Sequence, residues 1–298
     1  MSRIIVLLAC ALFWSGGAAP GKADDVPVVS KVPTEEALTL VVMDPLAAPL
    51  SCPCVEGYAQ RKYEALQQFL KAHLDRPVQL TFAESLKLAL KKTNGKADII
   101  IGKDSVVRSD SKAARIDIQP LGYLTDKKGS TTQTGLIVVN KNDSAKTVED
   151  LNGYTIIFGP SEAAEKHSAA MSLLKKAGVS VPEKLTIDAA CSDGACKVID
   201  LGPKSKTAAV ISSYAQPLLE GCGTIKKGDL RVVGETTAVP FITAFASSNL
   251  RSTVQKKLQK ALAATATEPD LLEALESLVG FLPPKEAKKA IPTVAKKK

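Results

Sequence analysis

Two cysteines separated by one proline are the residues best suited to chemistry in this sequence. Cys52 and Cys54 lie in the segment SCPC, and Cys191, Cys196 and Cys222 follow later in the chain. Thiolates are soft ligands, so this set predicts a copper(I) or zinc site as one interpretation. A second interpretation is redox chemistry, because a bridge within a C-x-C pair would close a small, strained and easily reduced ring. The C-x-x-C spacing typical of structural zinc and of thioredoxin-like sites is absent from the sequence.

Hydroxyl side chains and charges form a second group of candidates, suited to binding a small polar ligand. The run 130–134 (STTQT) offers five consecutive hydrogen-bonding side chains. Ser161 follows Gly159-Pro160 at a predicted helix start, where free backbone N–H groups and the helix dipole favour an anion. The same serine is equally well explained as a helix cap. Glu162 and Glu165 weaken an anion site there and favour a cationic, zwitterionic or metal-bearing ligand.

Other candidates lie where predicted strands end. They are Asp44 after the first strand, Lys103, Asp104 and Ser105 after a later one, and Ser212 and Tyr214 after a third; from the run 130–134 we select Thr132 and Thr134. The spacing of His167 from the two nearby glutamates does not give a metal-binding pair. The sequence lacks a nucleophile elbow, a Walker loop, a zinc-protease helix and a dinucleotide fingerprint, so it predicts no enzyme and no cofactor.

The N-terminus and the charge of the chain indicate where the protein works. Arg3, an apolar run at 4–14 and a small-residue stretch predict a secretory signal at 1–23, cleaved near Ala23. A lipoprotein site at Cys10 is the alternative. Removing 23 residues leaves 37 basic and 31 acidic residues, a net charge of +6, and five cysteines. No aromatic residues interleave the lysines, so we expect a solvated basic surface and no nucleic-acid partner.

Strands alternating with helices must position these residues. Short apolar runs predict strands at 38–43, 78–82, 97–102, 135–140, 154–159, 184–188, 207–212 and 230–236. Helical spacing predicts helices at 59–74, 84–92, 162–177 and from 254 to about 278, the last divided by Pro269, with a short helix starting at Cys191. This alternation predicts an α/β protein with mostly parallel sheets.

The segment GLIVVNKNDSAKTVEDLNGYTIIFGPSEAAEKHSAAMSLLKKAGV, residues 135–179, resembles the phosphonate-type substrate-binding proteins of ABC transporters. A looser likeness continues through 207–220 and 239–250. The resemblance implies the type II periplasmic-binding-protein fold, with two α/β lobes and a ligand cleft between them. We expect lobe 1 at 38–130 plus 240–285, lobe 2 at 131–239, a leader at 24–37 and a basic tail at 286–298.

The resemblance also implies a function. We expect a monomeric, periplasmic solute-binding protein that captures a phosphonate, phosphate or similar oxyanion and delivers it to ABC transporter membrane subunits. Ser212 stands where amine-binding relatives have an acidic residue, which argues against an aminophosphonate. In this fold the cysteines lie near the cleft, so we expect a disulfide from Cys191 or Cys196 to Cys222. Cysteine-dependent copper or zinc binding, or redox chemistry, on the same fold is the alternative function.

Overall fold

A computed structural model describes residues 36–51, 55–56 and 59–286. The predicted signal at 1–23, the leader up to residue 35, Cys10, Cys52, Cys54 and the tail from residue 287 lie outside these residues. Among the residues that are described, no helix combines the length and the apolar character needed to cross a membrane.

Thirteen strands and eight α-helices occur in the described part of the chain. The strands are β1 (Leu38–Met43), β2 (Val78–Phe82), β3 (Ile99–Lys103), β4 (Ile118–Leu124), β5 (Thr132–Gln133), β6 (Gly135–Asn140), β7 (Thr155–Phe158), β8 (Thr186–Ile187), β9 (Thr207–Ser212), β10 (Leu230–Glu235), β11 (Val239–Pro240), β12 (Ile242–Ser247) and β13 (Phe281–Leu282). The helices are α1 (Tyr63–Leu74), α2 (Leu86–Lys92), α3 (Asp104–Ala114), α4 (Ser168–Lys176), α5 (Cys191–Leu201), α6 (Ala215–Gly221), α7 (Ser252–Ala264) and α8 (Pro269–Ala274).

The strands form two large sheets and one small two-stranded sheet. The first sheet has the order β13-β4-β12-β3-β1-β2, and the second has the order β10-β6-β9-β7-β8. The short antiparallel pair of β5 and β11 lies where the chain passes between the two sheets. The chain enters the second sheet after β5 and returns through β11 into β12 of the first sheet. Residues at this crossing are therefore close to both sheets.

Each sheet is covered on both faces, which explains why its central strands are continuous apolar runs. All six residues of β1 are buried. Leu38, Leu40 and Val42 pack into one hydrophobic cluster, and Val41 and Met43 pack into another on the opposite face. The second sheet repeats this arrangement in β6, with alternate residues in two further clusters. The α/β class predicted from the sequence is confirmed.

The sheets are mixed rather than mostly parallel, which corrects one expectation. Strand β1 runs parallel to β2 and β3, and β7 runs parallel to β8 and β9. Strand β12 is antiparallel to both β3 and β4, because it brings the chain back into the first sheet from the crossing. Strand β6 is likewise antiparallel to β9 and β10.

The helix predicted at 162–177 begins only at Ser168, so Ser161 is not its N-cap. The preceding segment folds into successive tight turns, in which the N–H of Ala163 donates to Pro160 O at 2.9 Å and that of Lys166 donates to Ala163 O at 3.0 Å. The N–H of Gly159 also donates to Lys166 O, closing residues 159–166 into a loop. We call this segment the 159–166 loop. Its folding keeps the predicted first helical turn from forming.

Candidate functional site

A buried ion pair between the two sheets is the centre of the candidate site. Lys103 is the last residue of β3 in the first sheet, and its ammonium donates to the Oε1 atom of Glu165, in the 159–166 loop. The Glu165 side chain is fully buried, and that of Lys103 is 10% exposed. Ser212, at the end of β9 in the second sheet, donates from its hydroxyl to the same Oε1 atom at 2.6 Å. Side chains from two separate strands therefore converge on one carboxylate oxygen of the 159–166 loop.

Glu165 is ionised at neutral pH. Burial by itself raises the pKa of this carboxyl, but the charge and hydrogen bond of Lys103 and the hydrogen bond from Ser212 outweigh burial, so that the pKa lies below its ordinary value of 4.5. The second carboxylate oxygen, Oε2, is buried and has no hydrogen-bond partner within the described residues. A buried carboxylate oxygen in that state is uncommon in folded proteins.

A hydroxyl contact joins the same two parts of the molecule. Ser105, in the first turn of α3, donates from Oγ to Glu162 O at 2.7 Å and accepts from the N–H of Ala164 at 3.2 Å. One serine of the first sheet's helix thus satisfies both a carbonyl and an N–H of the 159–166 loop. Together with the Lys103–Glu165 pair, this contact fixes the loop against the carboxyl end of β3. We call the two contacts the seam.

Aromatic rings extend the site away from the seam. The ammonium of Lys103 lies 6.0 Å from the ring centroid of Tyr214. Tyr214 stacks on Phe241, with centroids 5.0 Å apart, and the guanidinium of Arg61 lies 5.4 Å from the Phe241 centroid. Burial, followed by the nearby negative charges of Glu165 and Asp44, raises the pKa of Tyr214 well above its ordinary value. The Tyr214 hydroxyl is therefore protonated at neutral pH.

A second buried ion pair lies beneath this stack and has a structural role. Arg61 donates to Asp44 Oδ2 at 2.9 Å, the hydroxyl of Tyr63 donates to the same oxygen at 2.6 Å, and the N–H of Leu46 donates to Oδ1 at 2.9 Å. Arg61 also donates to Leu275 O at 3.1 Å. Both carboxylate oxygens of Asp44 are thus occupied by protein donors. The pair fixes the loop after β1 instead of offering a free ligand group.

The predicted site residues divide into two groups. Lys103, Ser105 and Ser212 contact the 159–166 loop, and Tyr214 lies beside Lys103. The others have local partners elsewhere: Asp104 pairs with Arg108 at 2.7 Å, Thr132 shares a hydrogen bond with Ser130, Thr134 donates to Glu235 at 2.7 Å, and Ser161 is exposed and donates to Glu162. Their roles in ligand binding stay predictions.

Sequence reasoning missed the central role of Glu165 and the contributions of Arg61, Tyr63 and Phe241. The one available signal was the acidic pair Glu162 and Glu165 after a strand end, which indicated a site unsuited to a simple anion. Nothing in the spacing pairs Glu165 with Lys103, because 62 residues separate them.

The predicted disulfide from Cys191 or Cys196 to Cys222 is not formed, and all three are free thiols in the described part of the chain. Each of the three sulfur atoms has different neighbours. The N–H of Ser212 donates to the Cys191 sulfur at 3.4 Å, and the sulfur of Cys222 lies 3.0 Å from Thr224 Oγ1. Cys196 packs into the cluster beneath α5, where burial, then Asp200 and Asp193, raise its thiol pKa.

Comparison with known proteins places this arrangement in a family. Residues 57–290 match the family model described as ABC transporter, phosphonate, periplasmic substrate-binding protein. A comparison with curated proteins finds no match.

Solved structures share the fold at low sequence identity. XAC2383 from Xanthomonas citri, bound to chloride ion, is 15% identical with a TM-score of 0.63, covering 86% of this chain and 94% of that chain. A binding protein component of the ABC phosphonate transporter from Pseudomonas aeruginosa (PA3383) is 15% identical with a TM-score of 0.59, covering 84% and 83%. PhnD1 from Prochlorococcus marinus (MIT 9301), in complex with methylphosphonate, is 13% identical with a TM-score of 0.58, covering 85% and 95%.

These structural matches establish a type II periplasmic-binding-protein fold, and the family model covers most of the chain. Its description is that of a binding protein, not an enzyme. The chain therefore belongs to the phosphonate-type periplasmic substrate-binding protein family of ABC transporters.

Proposed function

We propose that this protein is an exported solute-binding protein that captures a small polar ligand between its two sheets and presents it to ABC transporter membrane subunits. The observation that carries the proposal is the seam, where side chains of β3, α3 and β9 meet the 159–166 loop. Polar groups at the carboxyl ends of strands are where α/β proteins bind ligands. Opening of the sheets about the β5–β11 crossing would expose these groups, and closure would desolvate the bound ligand.

Family membership makes phosphonates, phosphate and related oxyanions the first ligand class to test. Lys103 supplies a positive charge, and Ser105, Ser212 and Tyr214 supply hydroxyl groups for such a ligand. Isothermal titration calorimetry and thermal shift with methylphosphonate, phosphate and sulfonates test this class. Ser212→Ala is expected to weaken binding of any cleft ligand by about tenfold or more, because a hydrogen bond to a charged group is lost. If no small polar ligand raises the melting temperature at millimolar concentration, capture in the cleft is refuted.

A second candidate function is soft-metal or redox chemistry at the cysteines. A cavity of about 250 Å³ favours it, because its lining includes Cys191 and Cys222 as well as Ser51 and Val55, which flank the SCPC cysteines in the sequence. Within the described residues, no group of three or more His, Cys, Asp or Glu side chains is placed to hold a metal ion. Metal analysis of protein purified without chelator tests this function. Near-stoichiometric copper or zinc that is lost in Cys52→Ser would support it, and metal-free protein would refute metal capture.

A further inference from the structure

An amide that is buried without hydrogen-bond partners lies at the crossing between the two sheets. Gln133, the second residue of β5, is 4% exposed, and neither its amide nitrogen nor its amide oxygen has a partner within the described residues. A glutamine amide can donate two hydrogen bonds and accept two. Because an amide that loses its contacts with water and gains none in exchange is unfavourable, this side chain opposes the arrangement in which it is buried.

The neighbouring hydroxyl groups have partners, in contrast to this amide. The Thr134 hydroxyl donates to Glu235 at 2.7 Å, and Thr132 Oγ1 lies 3.3 Å from Ser130 Oγ. Successive side chains of a strand alternate between its two faces, and Gln133 is buried whereas Thr132 is partly exposed. The amide is therefore on the inward-facing side of β5, where nothing within the described residues compensates for its loss of water.

The strand β5 is anchored to a different sheet at each end. The N–H of Phe241, directly before β12 of the first sheet, donates to Thr131 O at 2.9 Å. The N–H of Ser213, directly after β9 of the second sheet, donates to Thr134 O at 2.8 Å. Gln133 lies between these two anchors. A change in the angle between the sheets is therefore absorbed at Gln133 and at the residue before it.

We propose that Gln133 is an opening device. Its buried amide destabilises the closed arrangement, in which the seam is formed, and separation of the sheets returns the amide to water. This inference rests on the proposed capture of a ligand between the sheets, and it concerns the equilibrium between closed and open forms, not the ligand. The Lys103–Glu165 pair holds the sheets together, and Gln133 acts against that pair. A larger open population gives a ligand more molecules that it can enter.

Hydrogen exchange at one amide of the seam, measured by nuclear magnetic resonance, reports opening without a ligand. The N–H of Ala164 donates to Ser105 Oγ across the seam at 3.2 Å, so it exchanges when the sheets separate, whereas the amides of β1 exchange when the whole fold unfolds. Gln133→Met keeps an unbranched side chain without the amide, and the Ala164 N–H should then exchange about tenfold more slowly. Gln79→Met makes the same change at an exposed position of β2 and should leave that rate unchanged.

A second variant, Gln133→Glu, tests the opposite direction. A carboxylate is more unfavourable than an amide when it is buried without a partner, so the closed form should lose population. Near pH 7.5 the Ala164 N–H should exchange about tenfold or more faster than in the wild type. This variant keeps the test decisive if Gln133→Met does not fold, because unchanged or slower exchange in Gln133→Glu would contradict the proposal.

The outcomes separate this inference from the proposed function. If the exchange of Ala164 is unchanged in folded Gln133→Met, the amide is equally unfavourable in both forms, and the inference is refuted whatever the stability of the variant in urea. Ligand capture is then untouched, since calorimetry tests it independently. Equal slowing in Gln79→Met would also refute the inference. If the Ala164 N–H of the wild type exchanges as slowly as the amides of β1, the sheets do not open, and both the inference and the proposed capture fail.

Discussion

Removing the charge of Lys103 should destabilise the protein far more than removing an exposed lysine. The substitution Lys103→Met keeps an unbranched side chain but leaves Glu165, which is fully buried, without its cationic partner. Breaking a buried ion pair on one side costs about 3–5 kcal/mol. For a chain of this size, about 1 kcal/mol lowers the melting temperature by about 2–4 °C, so we expect a decrease of roughly 6–20 °C.

The pH dependence of this loss distinguishes an unpaired charge from a packing defect. In the wild type the folded-state pKa of Glu165 is lowered, so its contribution to stability is present above the ordinary value of 4.5 and is lost as pH falls through the lower folded value. In Lys103→Met, burial without a partner raises the pKa of Glu165 above its unfolded value. Stability is then lost as pH rises. The difference between the two proteins should widen from pH 4 to pH 7.

Urea unfolding followed by circular dichroism between pH 4 and pH 7 measures this difference directly. Lys96→Met is the matched control, because Lys96 pairs with Glu36 at the surface, where the two side chains are 56% and 73% exposed. An exposed pair of this kind contributes little to stability, because water screens the two charges and both side chains lose conformational freedom. The double variant Lys103→Met/Glu165→Met removes both charges and should recover most of the lost stability. The reasoning is refuted if Lys103→Met costs no more than Lys96→Met, or if its effect does not depend on pH.

Three further predictions concern the surroundings of the site. Arg61→Met leaves buried Asp44 without a cation, so urea unfolding should show a loss of about 3–5 kcal/mol in the free energy of unfolding. In the control, Arg108→Met, the arginine of the pair is 45% exposed, and the loss should be about 1 kcal/mol. Equal losses in the two variants would contradict the structural role of Asp44. Gly135→Ala places a Cβ atom against the Glu165 carbonyl oxygen and should destabilise the protein by roughly 1–3 kcal/mol. Gly194→Ala in α5 is the milder control, because the added Cβ would lie 3.2 Å from the Ala209 Cβ. Alkylation of unreduced, denatured protein followed by peptide mapping should label Cys191, Cys196 and Cys222, and failure to label any of them would show a disulfide that the structure lacks.

The strands were predictable where burial on both faces makes a strand one continuous apolar run. The predicted bounds of β1, β6 and β9 agree with the structure, and those of β2 also agree although only its first residue, Val78, is buried. Helix α3 escaped prediction because its sequence, DSVVRSDSKAA, has Val107 as its only fully buried apolar side chain. Strand β4 escaped prediction because it contains Pro120, which argues against a strand. The local sequence pattern therefore predicts the strands of the core, and it does not predict elements whose structure depends on tertiary contacts.

The site was less predictable than the fold for a related reason. Strand ends identified Lys103, Ser105, Ser212 and Tyr214, since ligands and polar groups collect at those positions in α/β proteins. The helix expected at Ser161 was wrong, because hydrogen bonds from Ser105 and within the 159–166 loop replace the first helical turn. Glu165 is at the centre only because this loop folds back towards β3. A contact across 62 residues of sequence leaves no trace in local spacing.

The Lys103–Glu165 pair also has a consequence for affinity. Because the pair joins the two sheets through their own side chains, it opposes the opening that the proposed ligand capture requires. Under that proposal the ligand binds the open form, and its apparent affinity falls by the fraction of molecules that are open. If about 1% of molecules are open, the apparent Kd is about 100-fold weaker than the intrinsic value. Lys103 and Glu165 therefore set the cost of opening that any ligand captured between the sheets must offset.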